Sequence, residues 1–153
     1  MTVGIVGLGL IGGSFAKAYQ EAGATVLAWN RSRSVLDFAI MSGAVDAELT
    51  EDNIAACDLV LIALYPEATI EWFRRMAPHI GAHPVVLDCG GTKRTICAAC
   101  FPIAKEHGVT FLGGHPMAGT QYSGFKNAKA TMYHGAPMVI VPPDFDDVLL
   151  FDR

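Results

Sequence analysis

The chain has 153 residues, of which 52% are hydrophobic and 17% charged, and its formal net charge is −4. This length fits one domain with a sizeable core, not two full domains, and the apolar share suits a sheet buried on both faces. The 11 basic residues are scattered, with no run longer than Arg74-Arg75 or Lys93-Arg94, and no apolar run approaches the ~18 residues of a membrane helix, so a nucleic-acid surface and a membrane span are both excluded as readings.

The elements follow in chain order. Thr2–Val6 is short, β-branched and apolar, hence a strand. Ile11, Phe15, Ala18, Tyr19 and Ala22 then recur at helical spacing, and Gly23 ends that helix. Thr25–Trp29 is a second strand. Ser32 is placed to cap a helix that runs to about Met41 and stops at Ser42-Gly43. Asp58–Leu64 is an almost unbroken apolar strand, the pattern of a central parallel strand. Pro66 suits the first turn of the next helix, which runs to about His79. Val85–Leu87 reads as a strand, Thr92–His107 as a helix and Val109–Leu112 as a strand. A Gly-rich loop is expected over 113–124, a helix over 125–133 and a last strand over Pro137–Val141. With a strand beginning at Thr2 and no leader ahead of it, the chain is expected to be cytoplasmic. Of the four cysteines, Cys97-Ala-Ala-Cys100 has redox or metal spacing, but it falls in a helical pattern and no further His or Cys completes a zinc set. These thiols read as core packing, and no metal site is expected.

Strands alternating with helices give βαβ units: a Rossmann-type, doubly wound α/β fold with a mainly parallel sheet and helices on both faces. Gly7-Leu8-Gly9-Leu10-Ile11-Gly12 stands between the first strand and the first helix. In that place the glycines have separate roles: Gly7 for the tight turn, Gly9 for approach of a pyrophosphate, Gly12 for helix–strand packing. The helix N-terminus then offers N–H groups to the phosphates. The second strand ends at Asn30, eighteen residues past Gly12, where NAD-binding versions usually carry an acid for the ribose 2′-hydroxyl. Here the residues are Asn30, Arg31 and Ser32. A guanidinium grips a phosphate with its forked donors, so NADP is favoured over NAD.

Three later segments carry a resemblance. They are Asp88-Cys89-Gly90-Gly91-Thr92-Lys93; Gly113-Gly114-His115-Pro116-Met117-Ala118-Gly119-Thr120 with Ser123-Gly124; and Tyr133-His134-Gly135-Ala136-Pro137 leading to Pro142-Pro143. With the loop at 7–14, they resemble the nucleotide-binding part of the prephenate/arogenate dehydrogenase family over essentially the whole chain. The His-Pro-Met-Ala-Gly segment is the most specific, and it argues against β-hydroxyacid dehydrogenases and imine reductases, which share the fold class. The resemblance implies oxidative decarboxylation of a cyclohexadienol: prephenate to 4-hydroxyphenylpyruvate, or arogenate to tyrosine. It implies that His115 accepts the hydroxyl proton, a task for which an imidazole, ordinarily near pKa ~6.5, suits neutral pH. It also implies that Thr120 lies near the substrate. Cys89 and Gly90, just past a strand, are expected near the nicotinamide, and Leu64, Tyr65 and Pro66, after another strand at the same rim, are expected to line the cofactor cleft, with ordinary packing an equal reading for Tyr65. Gly91 stands where many members carry a serine, and Thr92 follows it, so both are expected beside the substrate. His79, His83, His107 and His134 read as surface or capping residues. The family continues into a helical second domain that dimerises and supplies cationic groups to the substrate carboxylates. That domain is absent from these residues, so the chain alone is expected to bind cofactor and turn over poorly. A non-catalytic dinucleotide-binding module is the alternative.

Overall fold

The computed structural model describes residues 1–145, 147 and 150. A seven-stranded sheet forms the centre, built from β1 (Thr2–Val6), β2 (Thr25–Trp29), β3 (Ala47–Glu48), β4 (Leu59–Ile62), β5 (Val85–Asp88), β6 (Thr110–Pro116) and β7 (Met138–Val141) in the order β3-β2-β1-β4-β5-β6-β7. Strands β1 to β6 pair in parallel and β7 joins β6 antiparallel. Four helices cover it: α1 (Leu10–Glu21), α2 (Arg33–Met41), α3 (Pro66–Ile80) and α4 (Arg94–His107).

The sheet divides two cores, as its two-sided apolar strands require. On one side Trp72, Phe73 and Met76 of α3 and Ile96 and Cys100 of α4 pack on Val60, Ile62, Val86 and Phe111. Phe73 and Phe111 lie 4.7 Å apart between ring centres. On the other side Ala16 of α1 and Leu36 and Ala39 of α2 pack on Val3, Ile5, Val26 and Leu61. The order of strands reverses between β1 and β4, and ligands of open parallel sheets bind at the carboxyl ends of strands at such a switch point.

Several expectations are corrected. The stretch after Leu112 is not loop: β6 continues through Gly113, Gly114, His115 and Pro116, because β7 returns beside it and pairs Gly113 with Val141 and His115 with Val139. The expected helix over 125–133 is two 3-10 turns, Phe125–Asn127 and Ala130–Tyr133, separated by extended backbone at Ala128 and Lys129. That break lets the segment fasten to α1: Ser14 Oγ accepts the Lys129 N–H at 3.1 Å, Lys17 Nζ donates to the Ala128 carbonyl at 2.8 Å, and Tyr133 stacks on Phe15 at 4.4 Å. Helix α4 begins at Arg94 rather than Thr92, and β3 was unexpected. Ser32 occupies the N-cap position of α2 but makes no capping bond; its hydroxyl meets Ser34 Oγ at 3.0 Å.

All four cysteines are buried as free thiols, with Cys97 and Cys100 on the packed face of α4. Burial pushes the thiols up, Cys57 to about 11 and Cys89 and Cys100 to about 12. An unfolded chain sheds a thiol proton near its ordinary pKa of about 8.5, before the folded chain does, so this contribution to stability is full below that pH and declines as pH rises toward 11 or 12. A thiol reagent at pH 8 is therefore expected to leave the native cysteines untouched over minutes and to label all four after unfolding, and thermal stability is expected to fall above about pH 9. Rapid labelling of Cys97 in the native chain would contradict the packing role.

Candidate functional site: a dinucleotide cleft along the sheet rim

The glycine loop between β1 and α1 is fixed by sterics. Gly7 has φ +93°, and a Cβ there would sit 2.6 Å from Leu64 Cδ2 and 2.7 Å from the Ala63 carbonyl oxygen. A Cβ on Gly12 would overlap the carbonyl oxygen of Gly7, so only glycine lets α1 start this close to β1. Gly9 differs: it is exposed, and nothing lies within 4 Å of where its Cβ would be. The helix that follows has no side-chain cap and no acidic residue in its first turn. An open glycine face backed by an uncapped helix N-terminus fits the pyrophosphate of a dinucleotide, whose charge meets the N–H groups and the positive helix end. Leu10 and Ile11, the first residues of α1, are half-buried beside it.

Two residues of this stretch act differently from expectation. Leu8 is buried in the core, and its N–H donates to Asn30 Oδ1 at 2.9 Å rather than standing free for a phosphate. Asn30 also donates from Nδ2 to the Ser32 carbonyl at 3.1 Å. Its carboxamide thus braces the glycine loop against the end of β2. Arg31 is exposed and makes no hydrogen bond or ion pair among the described residues, whereas Arg33 is held by Asp37 at 2.8 Å and Glu48 at 2.7 Å. The end of β2 therefore presents one uncommitted guanidinium, with the Ser32 hydroxyl beside it.

The far end of the rim lies beyond β4. Leu64 is half-buried and packs on the core, Tyr65 is 87% exposed at the start of α3, and Pro66 occupies the first helical position. After β5, Cys89 is buried in the core beside the half-buried Gly90. Gly91 and Thr92 are exposed. A Cβ on Gly91 would meet His115 Cε1 and Nε2, both at 3.9 Å, with no other atom within 4 Å. The half-buried imidazole of His115 therefore faces the Gly90-Gly91 loop. Thr120 lies on the exposed loop beyond β6, its hydroxyl accepting the Tyr122 N–H at 3.2 Å. The other four histidines are exposed, and two face carboxylates: His79 Nε2 lies 3.7 Å from Glu51 and His83 Nε2 3.1 Å from Asp58.

The strand order brings Arg31, Gly9, Tyr65, Gly90 and His115 to the carboxyl ends of β2, β1, β4, β5 and β6 in that spatial sequence. Four interstrand steps of about 4.8 Å make a rim of about 19 Å. Sequence reasoning missed Asp88 and Lys93. Asp88 is fully buried; its Oδ1 accepts the Gly90 N–H at 2.8 Å and its Oδ2 pairs with Lys93 Nζ. Lys93 Nζ also donates to the Gly114 carbonyl at 2.5 Å. Burial draws the Lys93 ammonium down, to about 8, a value that leaves it charged at neutral pH beside the carboxylate. The signal was present in the Asp-x-Gly-x-x-Lys spacing, but nothing local says that the two ends turn back to meet.

A parallel sheet of this order, with a bare glycine loop at its switch point, defines a dinucleotide-binding domain of the dehydrogenase type. A family model described as the nucleotide-binding domain of prephenate dehydrogenase matches residues 15–152, and the chain belongs to that family. The prephenate dehydrogenase of Bacillus subtilis (strain 168) is 29% identical over 146 residues, which are 92% of this chain and 39% of that protein. The structure of Synechocystis arogenate dehydrogenase matches at TM-score 0.88 and 25% identity, over 99% of this chain and 54% of that one. That of Aquifex aeolicus prephenate dehydrogenase in complex with hydroxyphenyl propionate and NAD+ matches at TM-score 0.77 and 25% identity, over the same shares. The chain spans roughly half the length of these relatives.

The two loop glycines separate experimentally. Gly9→Ala is expected to keep the melting temperature within about 2 °C, since its Cβ meets open space, while weakening dinucleotide binding at least about tenfold, or ~1.4 kcal/mol. Gly12→Ala is expected to lower the melting temperature as well, because the helix must move off β1. Calorimetry and thermal denaturation read both; equal behaviour of the two variants would refute the assignment.

Proposed function

We propose that this chain is the cofactor-binding, proton-accepting half of an NADP-dependent prephenate dehydrogenase. The observation that carries the reading is the placement of an open phosphate loop and an imidazole on one rim, with His115 facing Gly91 across the loop that follows β5. When bound, the nicotinamide supplies the acceptor for a hydride from the ring carbon that bears the hydroxyl.

This chain's residues supply the rest. The α1 N-terminus and Gly9 hold the pyrophosphate, and Arg31 with Ser32 holds the 2′-phosphate through charge-assisted hydrogen bonds. Gly90, whose Cβ would point inward against Asp88 and Ile96, lies beside the nicotinamide at the end of β5. His115 takes the hydroxyl proton at an imidazole nitrogen, so that negative charge does not build up on the oxygen as the ring carboxylate leaves as CO2. Thr92 and Thr120 offer hydroxyls to the substrate. In this reading a helical second domain, of the length by which the relatives exceed this chain, closes the cleft, supplies cations for the substrate carboxylates and forms the dimer. The same residues suit arogenate, and the Synechocystis relative, an arogenate dehydrogenase, favours that as the second reading.

Calorimetry with NADP+ and NAD+ side by side tests the cofactor assignment. NADP+ is expected to bind at least about tenfold tighter, a difference of ~1.4 kcal/mol, and Arg31→Ala is expected to erase that margin without changing stability. Equal or tighter binding of NAD+ by the wild type would overturn the reading of Asn30, Arg31 and Ser32. Steady-state turnover of prephenate by the 153 residues alone is expected to be weak, and robust turnover would refute the need for a second domain.

A further inference from the structure

The parallel ladder between β5 and β6 ends early. Its register pairs Val85 with Thr110, Val86 with Phe111 and Leu87 with Leu112, and goes no further. From Gly113 to Pro116, β6 is hydrogen-bonded to β7 instead, the edge strand on its outer side. The backbone that carries His115 has thus left the β5 ladder just where it must stand at a fixed distance from the loop after β5.

A side-chain bridge takes over at that point. Lys93 Nζ reaches across to the Gly114 carbonyl at 2.5 Å and pairs at the same time with Asp88 Oδ2. The other oxygen of that carboxylate accepts the Gly90 N–H at 2.8 Å. One carboxylate therefore holds the Gly90-Gly91 loop with one oxygen and, through the ammonium, the residue before His115 with the other. The approach is close: a Cβ on Gly114 would lie 2.9 Å from Leu87 Cδ1 and would overlap the Asp88 carbonyl oxygen. Asp88 has no exposed surface and the Lys93 side chain 17%, so the pair works where charges are weakly screened.

We infer that Asp88 and Lys93 are positioning residues, a buried clamp that sets the imidazole of His115 against the Gly90-Gly91 loop. The inference rests on the reading of His115 as the proton acceptor, for which the clamp supplies the fixed geometry. A group moving a proton must be held within hydrogen-bond reach of its target, and a side chain is held there by the partners of its neighbours. Neither residue touches substrate in this account. A buried ion pair is weak evidence of stabilisation, because a well-packed neutral pair often serves stability as well. A bond from that pair to the carbonyl beside the reacting group is what points to positioning.

Removing Lys93 alone would leave Asp88 charged and unpaired in the core, so the test uses Asp88→Asn/Lys93→Met, which removes both charges at similar volume. Asp88→Asn/Lys93→Gln is the second variant; it keeps an amide pair for folding but is too short to hold Gly114. The readout is the rate of imidazole carbethoxylation by diethyl pyrocarbonate, resolved residue by residue by mass spectrometry in the 153-residue chain. His79, His83, His107 and His134 are exposed and serve as internal references. In the folded double variants the His115 rate is expected to rise about fivefold, as local opening frees the ring, while the four references stay constant. An unchanged His115 rate in either folded variant overturns the clamp. A parallel rise at all five histidines also overturns it, since that describes a general brace. Cofactor calorimetry on the wild type is run beside this. If the wild type binds no dinucleotide, the functional reading fails whatever the His115 rate does, and the two failures are told apart.

Discussion

The rest of the site depends on the contact between Gly12 and the carbonyl oxygen of Gly7. Because no side chain fits there, α1 starts hard against the end of β1 and its uncapped N-terminus points across the sheet's switch point. A helix set back by the width of a methyl group would keep the same hydrophobic faces and lose the anion site. Asn30 secures the arrangement from the other side by taking the Leu8 N–H, so the loop is fastened both to α1 and to β2. The exposed face of Gly9 is what the fastening leaves over for a ligand.

The second centre is built on a different principle. At the glycine loop, position is set by what cannot fit; at His115 it is set by charge. β6 leaves its parallel neighbour at Leu112, and from there a buried carboxylate and ammonium join the loop after β5 to the carbonyl before His115. The antiparallel strand β7 holds the outer side of the same strand, and the segment that leads to β7 is fastened to α1 at Ser14, Lys17 and Phe15. The glycine loop after β1 and the imidazole of His115 on β6 thus stand on one rim, on strands whose spacing the sheet fixes. No helix among the described residues is long and apolar enough to cross a membrane.

Where local pattern decides structure, the sequence could be read. The unbroken apolar run at β4, the helical recurrence from Ile11 to Ala22 and the glycines after β1 each specify their element without help from distant residues. Where a distant partner decides, it could not. Gly113 and Gly114 look like loop formers, and they are strand because β7 comes back to pair with them. The two-residue β3 has no pattern to read. Residues 125–133 have helical composition, but Gly13 and Ser14 of α1 capture Ala128 and Lys129 in extended form. Ser32 has the residue type and place of a cap, yet its hydroxyl meets Ser34. The same limit hid Asp88 and Lys93, whose significance lies in a bond to a carbonyl 21 residues further on. The family resemblance singles out His115, and the fold sets its ring opposite Gly91.

The most direct test of the account is an NADP+ titration followed by amide resonances across the whole chain. The account requires that shifts concentrate on Gly7 to Gly12, on Arg31 and Ser32, on Tyr65, and on Gly90, Gly91 and His115, and that Gly23, Gly43, Gly81 and Gly108 at the opposite ends of the helices stay still. Shifts confined to those distant turns, or none at saturating cofactor, would contradict a dinucleotide lying along this rim.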